Sequence, residues 1–236
     1  MLTEARDLSN QVRAALWVLR EHRRRVLLCP CCGEASKFRS FGVEPRWLCP
    51  RCGSLARHRL LALFLDAHRG LIQGKTVLHF AAEPAIRPHV EPYAQRYVSC
   101  DINPRPGQIR IDIERIDLPD DEFDLIICNH VLEHVDDARA LSELRRVLKP
   151  QGVLLVMVPM VEGWDTTYED PKIVAPEDRR RHFGQEDHVR FYGRDIRERI
   201  AAAGFEVDEY TAVEPFVSTY GLCRGEKVFI CSRPAT

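Results

Sequence analysis

Residues 123–158 read FDLIICNHVLEHVDDARALSELRRVLKPQGVLLVMV, and the pattern of this stretch decides the fold. FDLIICN (123–129) is a short, nearly unbroken apolar run, the signature of a strand buried on both faces. DDARALSELRRVLK (136–149) then changes to helical spacing, and GVLLVMV (152–158) is a second buried strand. Strand, helix, strand in that order is a βαβ unit, which joins parallel strands.

The same pattern extends in both directions. TVLHF (76–80) and QRYVSC (95–100) are strand-like upstream, and GRDIRERIAAAG (193–204) is helical downstream. FEVDEY (205–210) and EKVFICS (226–232) follow with no helix evident between them, which predicts a hairpin-like antiparallel end to the sheet. Counting IRIDI (109–113), residues 75–236 predict an α/β, Rossmann-like, mostly parallel seven-stranded sheet with an antiparallel terminal strand.

Residues 1–74 follow a different pattern and are expected to form a small N-terminal zinc-ribbon-like module flanked by helices. Residues 3–25 have a helical strip of Ala14, Ala15, Val18 and Leu19 and an Arg-rich end. CPCCG (29–33) and CPRCG (49–53) are two copies of C-P-x-C-G. Each C-x-x-C turn can aim two sulfurs at one ion, and the glycine after it supplies the positive φ such a turn needs. Cys29, Cys32, Cys49 and Cys52 would close a tetrahedral S₄ set, which favours zinc and leaves no open position for catalysis. Cys31 is the spare thiol. A helix with Leu60, Leu61, Phe64 and Leu65 on one face follows, with Ser54 as its expected N-cap and Gly70 at its end.

VLHFAAEPAI (77–86), VSCDI (98–102), IRIDI (109–113), LPDDEFDLIICNHVLEHV (118–135) and LKPQGVLLVMVP (148–159) occur in an order and spacing that resemble class I S-adenosylmethionine (SAM)-dependent methyltransferases, specifically the type 11 group. The resemblance implies that Asp101 accepts hydrogen bonds from the ribose hydroxyls, with Ile102 beside it. It implies that Asp112 and Ile113 hold the adenine and that Asn129 and His130 lie next to the sulfonium. The first loop departs from the family's acidic, glycine-rich pattern: His79 stands for the acid, and Ala81 and Glu83 stand for glycines. Glu83 could instead pair with the cofactor's ammonium group.

His130, His134, His182 and His188 could serve as a base for an acceptor that loses a proton, with His130 and His188 the expected catalytic pair on opposite walls of a cleft. Residues 160–190 are expected to fold over the site as a substrate lid. His130-Val-Leu-Glu133-His134 also matches H-x-x-E-H, a metalloprotease signature. That reading needs a long helix and a further ligand, whereas here the motif follows a buried strand.

Composition sets the remaining bounds. The 236-residue chain is 45% hydrophobic, enough for a sizeable core, and no apolar run reaches the roughly 18 residues of a membrane span. Charges interrupt every apolar stretch of residues 1–25, unlike a secretory signal, so the expected location is the cytoplasm. Residues 1–74 hold 13 Lys+Arg against 6 Asp+Glu, a basic balance that fits an anionic partner or simply a solvated helix end. No aromatic-and-basic strip suited to single-stranded bases is present, which favours a small-molecule or saccharide acceptor and leaves RNA and protein open. The competing reading is a catalytically silent, zinc-stapled Rossmann-like module that binds nucleic acid or protein.

Overall fold

In the computed structural model, which describes residues 26–41 and 44–235, the apolar runs form a single seven-stranded sheet. Its strands are β1 (Thr76–Phe80), β2 (Arg96–Asp101), β3 (Ile109–Arg110), β4 (Phe123–Asn129), β5 (Leu148–Met157), β6 (Glu206–Thr211) and β7 (Lys227–Ser232). They lie in the order β6-β7-β5-β4-β1-β2-β3. β1 to β5 run parallel, and β7 runs antiparallel to β5. The helices are α1 (Ala56–Ala67), α2 (Arg87–Val90), α3 (Asp137–Val147), α4 (Pro176–Phe183), α5 (Ile196–Ala202) and α6 (Phe216–Tyr220). Among the described residues, no helix is long and apolar enough to cross a membrane.

Phe123, Leu125, Ile126, Ile127 and Cys128 of β4 are buried, as expected of a central parallel strand. Leu141, Leu144 and Val147 of α3 pack in the same core as β4 and β5. Asp136 caps α3 by accepting from Arg139 N at 3.2 Å. Cys100 and Cys128 are buried apolar fillers, and burial raises both thiol pKa values.

Several boundaries differ from the sequence expectation for local reasons. α3 ends at Val147 and β5 begins at Leu148, because Pro150 forces the residue before it out of the helical region. The chain turns at Gln151 (φ 62°) and then needs Gly152, where a Cβ would lie 2.8 Å from the Lys149 carbonyl oxygen. β3 is only two residues long. Asp112 lies beyond it in a turn, bridging Arg115. The short helix α6 interrupts the expected hairpin between β6 and β7. The expected helix over 3–25 lies outside the described residues.

By its contacts the chain divides into two compact units. One comprises the described residues up to Leu63 together with Thr211–Glu226. The other comprises Phe64–Tyr210 and Lys227–Thr236, and it carries the sheet.

Candidate functional site

β1 and β4 are neighbours in the sheet although β2 and β3 lie between them in sequence, so the chain reverses its direction of travel here. Ligands bind at the C-terminal ends of strands at such a switch point. Both strand ends carry a non-glycine residue in the left-handed region: Ala81 after β1 (φ 49°) and His130 after β4 (φ 53°). Each extends the parallel ladder by one bond before turning, Ala81 N to Cys100 O at 2.8 Å and His130 N to Met157 O at 2.7 Å. Ala81 therefore holds a backbone shape that glycine adopts at lower cost, and it does so under strain.

The polar side chains next to this turn are partnered with one another. His79 is fully buried, with Nδ1 2.9 Å from the Tyr97 hydroxyl and Nε2 3.3 Å from Glu83 Oε2. Glu83 is thus held by His79 at the mouth of the loop. Asp101 ends β2 and accepts from Asn103 N through one oxygen at 2.8 Å, and Ile102 beside it leaves 47% of its surface exposed. Asp112 is exposed and accepts from Glu114 N at 2.9 Å, while Ile113 is buried in the core.

Asn129 is 3% exposed, yet neither Oδ1 nor Nδ2 has a hydrogen-bond partner. Leaving such groups unpaired costs about 1–3 kcal/mol each, so a ligand that satisfies them is strongly favoured there. Next to it, His130 Nδ1 lies 3.2 Å from Glu133 Oε1. A carboxylate accepts, so Nδ1 carries the proton and the buried, partnerless Nε2 is the basic nitrogen.

His188 is placed beside this cluster. It is 4% exposed, its Nδ1 donates to Phe183 O at 3.1 Å, and its ring stands edge-on to His134 at 4.7 Å. Burial lowers its pKa. The ligand atoms of Glu133, His134 and His188 all lie within 4.8 Å of one another. His130 and His188 thus adjoin the same carboxylate.

The segment expected to form a lid is itself folded. Tyr168–Glu169 pairs with Arg190–Phe191, and α4 lies between them. Buried Arg190 ties this segment to the turn after β4: it donates to Leu132 O at 2.9 Å, to Val135 O at 2.6 Å and to Glu169 Oε2 at 2.7 Å. Tyr192 adds a bond to Asp137 at 3.0 Å. Nothing in the local sequence around Arg190 signals this partnership across the chain. A cavity of about 590 Å³ lies alongside, lined in part by Glu114, His134, Asp136, Glu169, Asp170 and Arg179.

Residues 74–156 match a family model described as a methyltransferase domain. The match covers the strand ends from His79 to His130 and stops short of His188. The [4+2]-cyclase SpnF superposes with a TM-score of 0.58 at 18% identity, over 79% of this chain and 85% of that one. The 1,6-didemethyltoxoflavin-N1-methyltransferase of Burkholderia thailandensis, solved with S-adenosylhomocysteine, gives 0.55 at 18% identity over 76% and 79%. At this identity the superpositions establish a shared fold, and that fold serves both a cyclase and a methyltransferase. An uncharacterised protein of Methanocaldococcus jannaschii is 45% identical over 51 residues, spanning 22% of this chain and 23% of that protein.

The four cysteines form a second centre, in the other unit. Cys29 Sγ is 3.6 Å from Cys52 Sγ, and Cys32 Sγ is 3.9 Å from Cys49 Sγ. None of the nine cysteines forms a disulfide. Each knuckle closes on its own glycine, Gly33 N to Cys29 O at 2.8 Å and Gly53 N to Cys49 O at 2.9 Å, at φ 73° and 70°. These are the positive angles that the sequence motif implies. Ser54 does not cap α1: its hydroxyl lies 3.2 Å from Cys29 Sγ, and the helix opens with Arg59 N bonded to Leu55 O. Arg59 carries no motif that would single it out in sequence. It is fully buried, donates to Ser54 O, Tyr220 O and Gly221 O, and lies 4.4 Å over the Phe38 ring. Its cationic charge beside the sulfurs would offset part of the negative charge of a metal–tetrathiolate group.

Proposed function

We propose that this chain is a SAM-dependent methyltransferase acting on a hydroxyl- or amine-bearing acceptor of small-molecule or saccharide size, with a structural zinc on Cys29, Cys32, Cys49 and Cys52. The observation that carries the reading is Asn129, whose two buried, partnerless polar atoms lie at the switch point within the methyltransferase-domain match. The residues present fit the cofactor. Asp101 has a carboxylate oxygen not engaged by Asn103, exposed Ile102 offers an apolar surface, and Glu83 is held by His79 where a cationic amine can meet it.

When bound, SAM supplies an electrophilic methyl group, and alignment of the acceptor supplies much of the rate. His130 Nε2 takes the acceptor's proton, while Glu133 orients the ring through Nδ1 and stabilises the imidazolium that forms. The polar cavity beside His134 is large enough for a saccharide-sized acceptor and lined with the groups that recognise hydroxyls, and the folded segment 160–190 forms one of its walls.

Calorimetric titration of SAM into the full chain tests the reading. One site per chain is expected, weakened about ten- to a hundredfold by Asp101→Ala, since charge-assisted hydrogen bonds are lost. Absence of binding, or unchanged affinity in the variant, overturns it. With an accepted substrate, His130→Ala should lower turnover by roughly two to four powers of ten while SAM affinity is retained.

A further inference from the structure

The turn after β4 and the segment after α4 bring three metal-ligating side chains together, none of them a cysteine. The ligand atoms of Glu133, His134 and His188 lie within 4.8 Å of one another. Glu133 is fully buried, and its two oxygens have different surroundings: Oε1 accepts from His130, while Oε2 has no partner. A buried carboxylate oxygen left unpaired is costly, and a cation is the most direct remedy.

Each of the two imidazoles has its Nδ1 engaged, which leaves Nε2 available to a metal. His188 donates Nδ1–H to the Phe183 carbonyl, which leaves Nε2 with its lone pair. His134 Nδ1 lies 3.3 Å from Asp187 Oδ2, which likewise directs its lone pair to Nε2. Metal-bound histidines are typically fixed in this way, by a carbonyl or carboxylate on the far nitrogen. The scaffold is rigid: Val189 N donates to Glu133 O at 2.9 Å, and Arg190 bonds the carbonyls on either side, Leu132 O and Val135 O. Of the H-x-x-E-H run only Glu133 and His134 belong to this set, and His188 from a distant segment is its third member.

We propose that Glu133, His134 and His188 bind a divalent transition-metal ion, distinct from the ion of the four cysteines. Two imidazoles and one carboxylate suit zinc, manganese, iron or cobalt; magnesium and calcium prefer all-oxygen sets. Three protein ligands leave coordination positions open, as in catalytic rather than structural sites. With His134 lining the polar cavity, an acceptor hydroxyl is the natural occupant of an open position. The metal site itself does not depend on the methyltransferase reading.

The test is metal stoichiometry of the full chain. After equilibrium dialysis against zinc, the wild type should hold two equivalents; dialysed against manganese with the cysteine zinc retained, it should hold one zinc and one manganese. His188→Ala, Glu133→Gln and His134→Ala should each weaken the second equivalent at least tenfold and leave the first intact. His134 is partly exposed, so its variant is expected to fold even if removal of the buried ligands is not tolerated. Retention of the cysteine zinc reports the fold of the other unit, and far-ultraviolet circular dichroism reports the sheet. A wild type that never exceeds one equivalent with either ion overturns the proposal. So does a second equivalent that persists unchanged in the folded variants.

Discussion

Ala81→Gly should stabilise the protein, against the usual effect of adding a glycine. Ala81 sits at φ 49°, where an L side chain costs about 1–2 kcal/mol relative to glycine. Glycine's extra freedom in the unfolded chain takes back about 0.4–1 kcal/mol. The half-buried methyl group takes back a few tenths more, out of about 0.8 kcal/mol for a fully buried carbon. The net gain is about 0.5 kcal/mol, or roughly 1–2 °C in the melting midpoint of a chain this size. Ala82 is the internal control. It has no positive φ, so Ala82→Gly meets only the entropic cost and should lose about 0.5–1 kcal/mol. Urea denaturation of the two variants with unchanged m values reads the difference. Opposite signs at adjacent alanines are the expected result. Equal destabilisation at both would refute the claim that Ala81 holds a glycine's backbone.

Asn129→Leu removes two buried, partnerless polar atoms from a site of similar volume, so without ligand it should be at least as stable as the wild type and should lose the rise in melting temperature caused by SAM. A clear loss of ligand-free stability would mean that Asn129 is already satisfied. Asp124 is held near a pKa of about 2, against 3.8 ordinarily: burial would raise it, but hydrogen bonds from the Thr76 hydroxyl and N–H and from Lys149 outweigh burial. A depressed folded-state pKa means its stabilisation is complete above about pH 4 and lost as pH falls toward 2. Asp124→Asn should therefore flatten the stability profile in that window by about 1–2 kcal/mol, allowing for partial exposure. Arg190→Ala leaves Asp137 and Glu169 with Arg199 as their remaining cation and takes the side-chain donor from the Val135 carbonyl, and should cost about 1–3 kcal/mol by chemical denaturation. Cys49→Ser should abolish zinc retention and lower the first thermal transition while leaving SAM affinity nearly unchanged, read by elemental analysis and calorimetry.

β1 and β4 match their sequence boundaries residue for residue because a parallel strand buried on both faces must be an uninterrupted apolar run. The expected third strand was too long: in IRIDI the apolar residues alternate like a strand, but Asp112 bonds its own turn and ends the pairing at Arg110. FVSTY (216–220) is too short for a 3.6-residue period to register, so α6 was not anticipated, although Pro215 and Gly221 bracket it. The cysteine set was legible because both knuckles repeat one local turn. The proximity of His188 to Glu133 was not, because it depends on how residues 160–190 return to the sheet, and Arg190 makes that connection with backbone carbonyls that leave no mark on the sequence.

The two residues held at positive φ beside the switch point share one physical logic. Among the described residues the chain places glycine at most of its left-handed positions, as at Gly33, Gly53 and Gly184, and polar residues at Asp121 and Gln151. At the ends of β1 and β4 it uses alanine and histidine instead. Two residues beyond the alanine stands Glu83, anchored by His79. The histidine turns its ring back onto Glu133, a contact that an extended backbone at that point would not direct in the same way. Asn129, immediately before it, keeps its polar atoms unpaired in the same place. Strained backbone and unpaired polar atoms therefore meet at the C-terminal ends of β1 and β4, in front of the largely apolar strands that carry them. That distribution is expected where a rigid core supports a binding site whose groups are arranged for a ligand and not for one another.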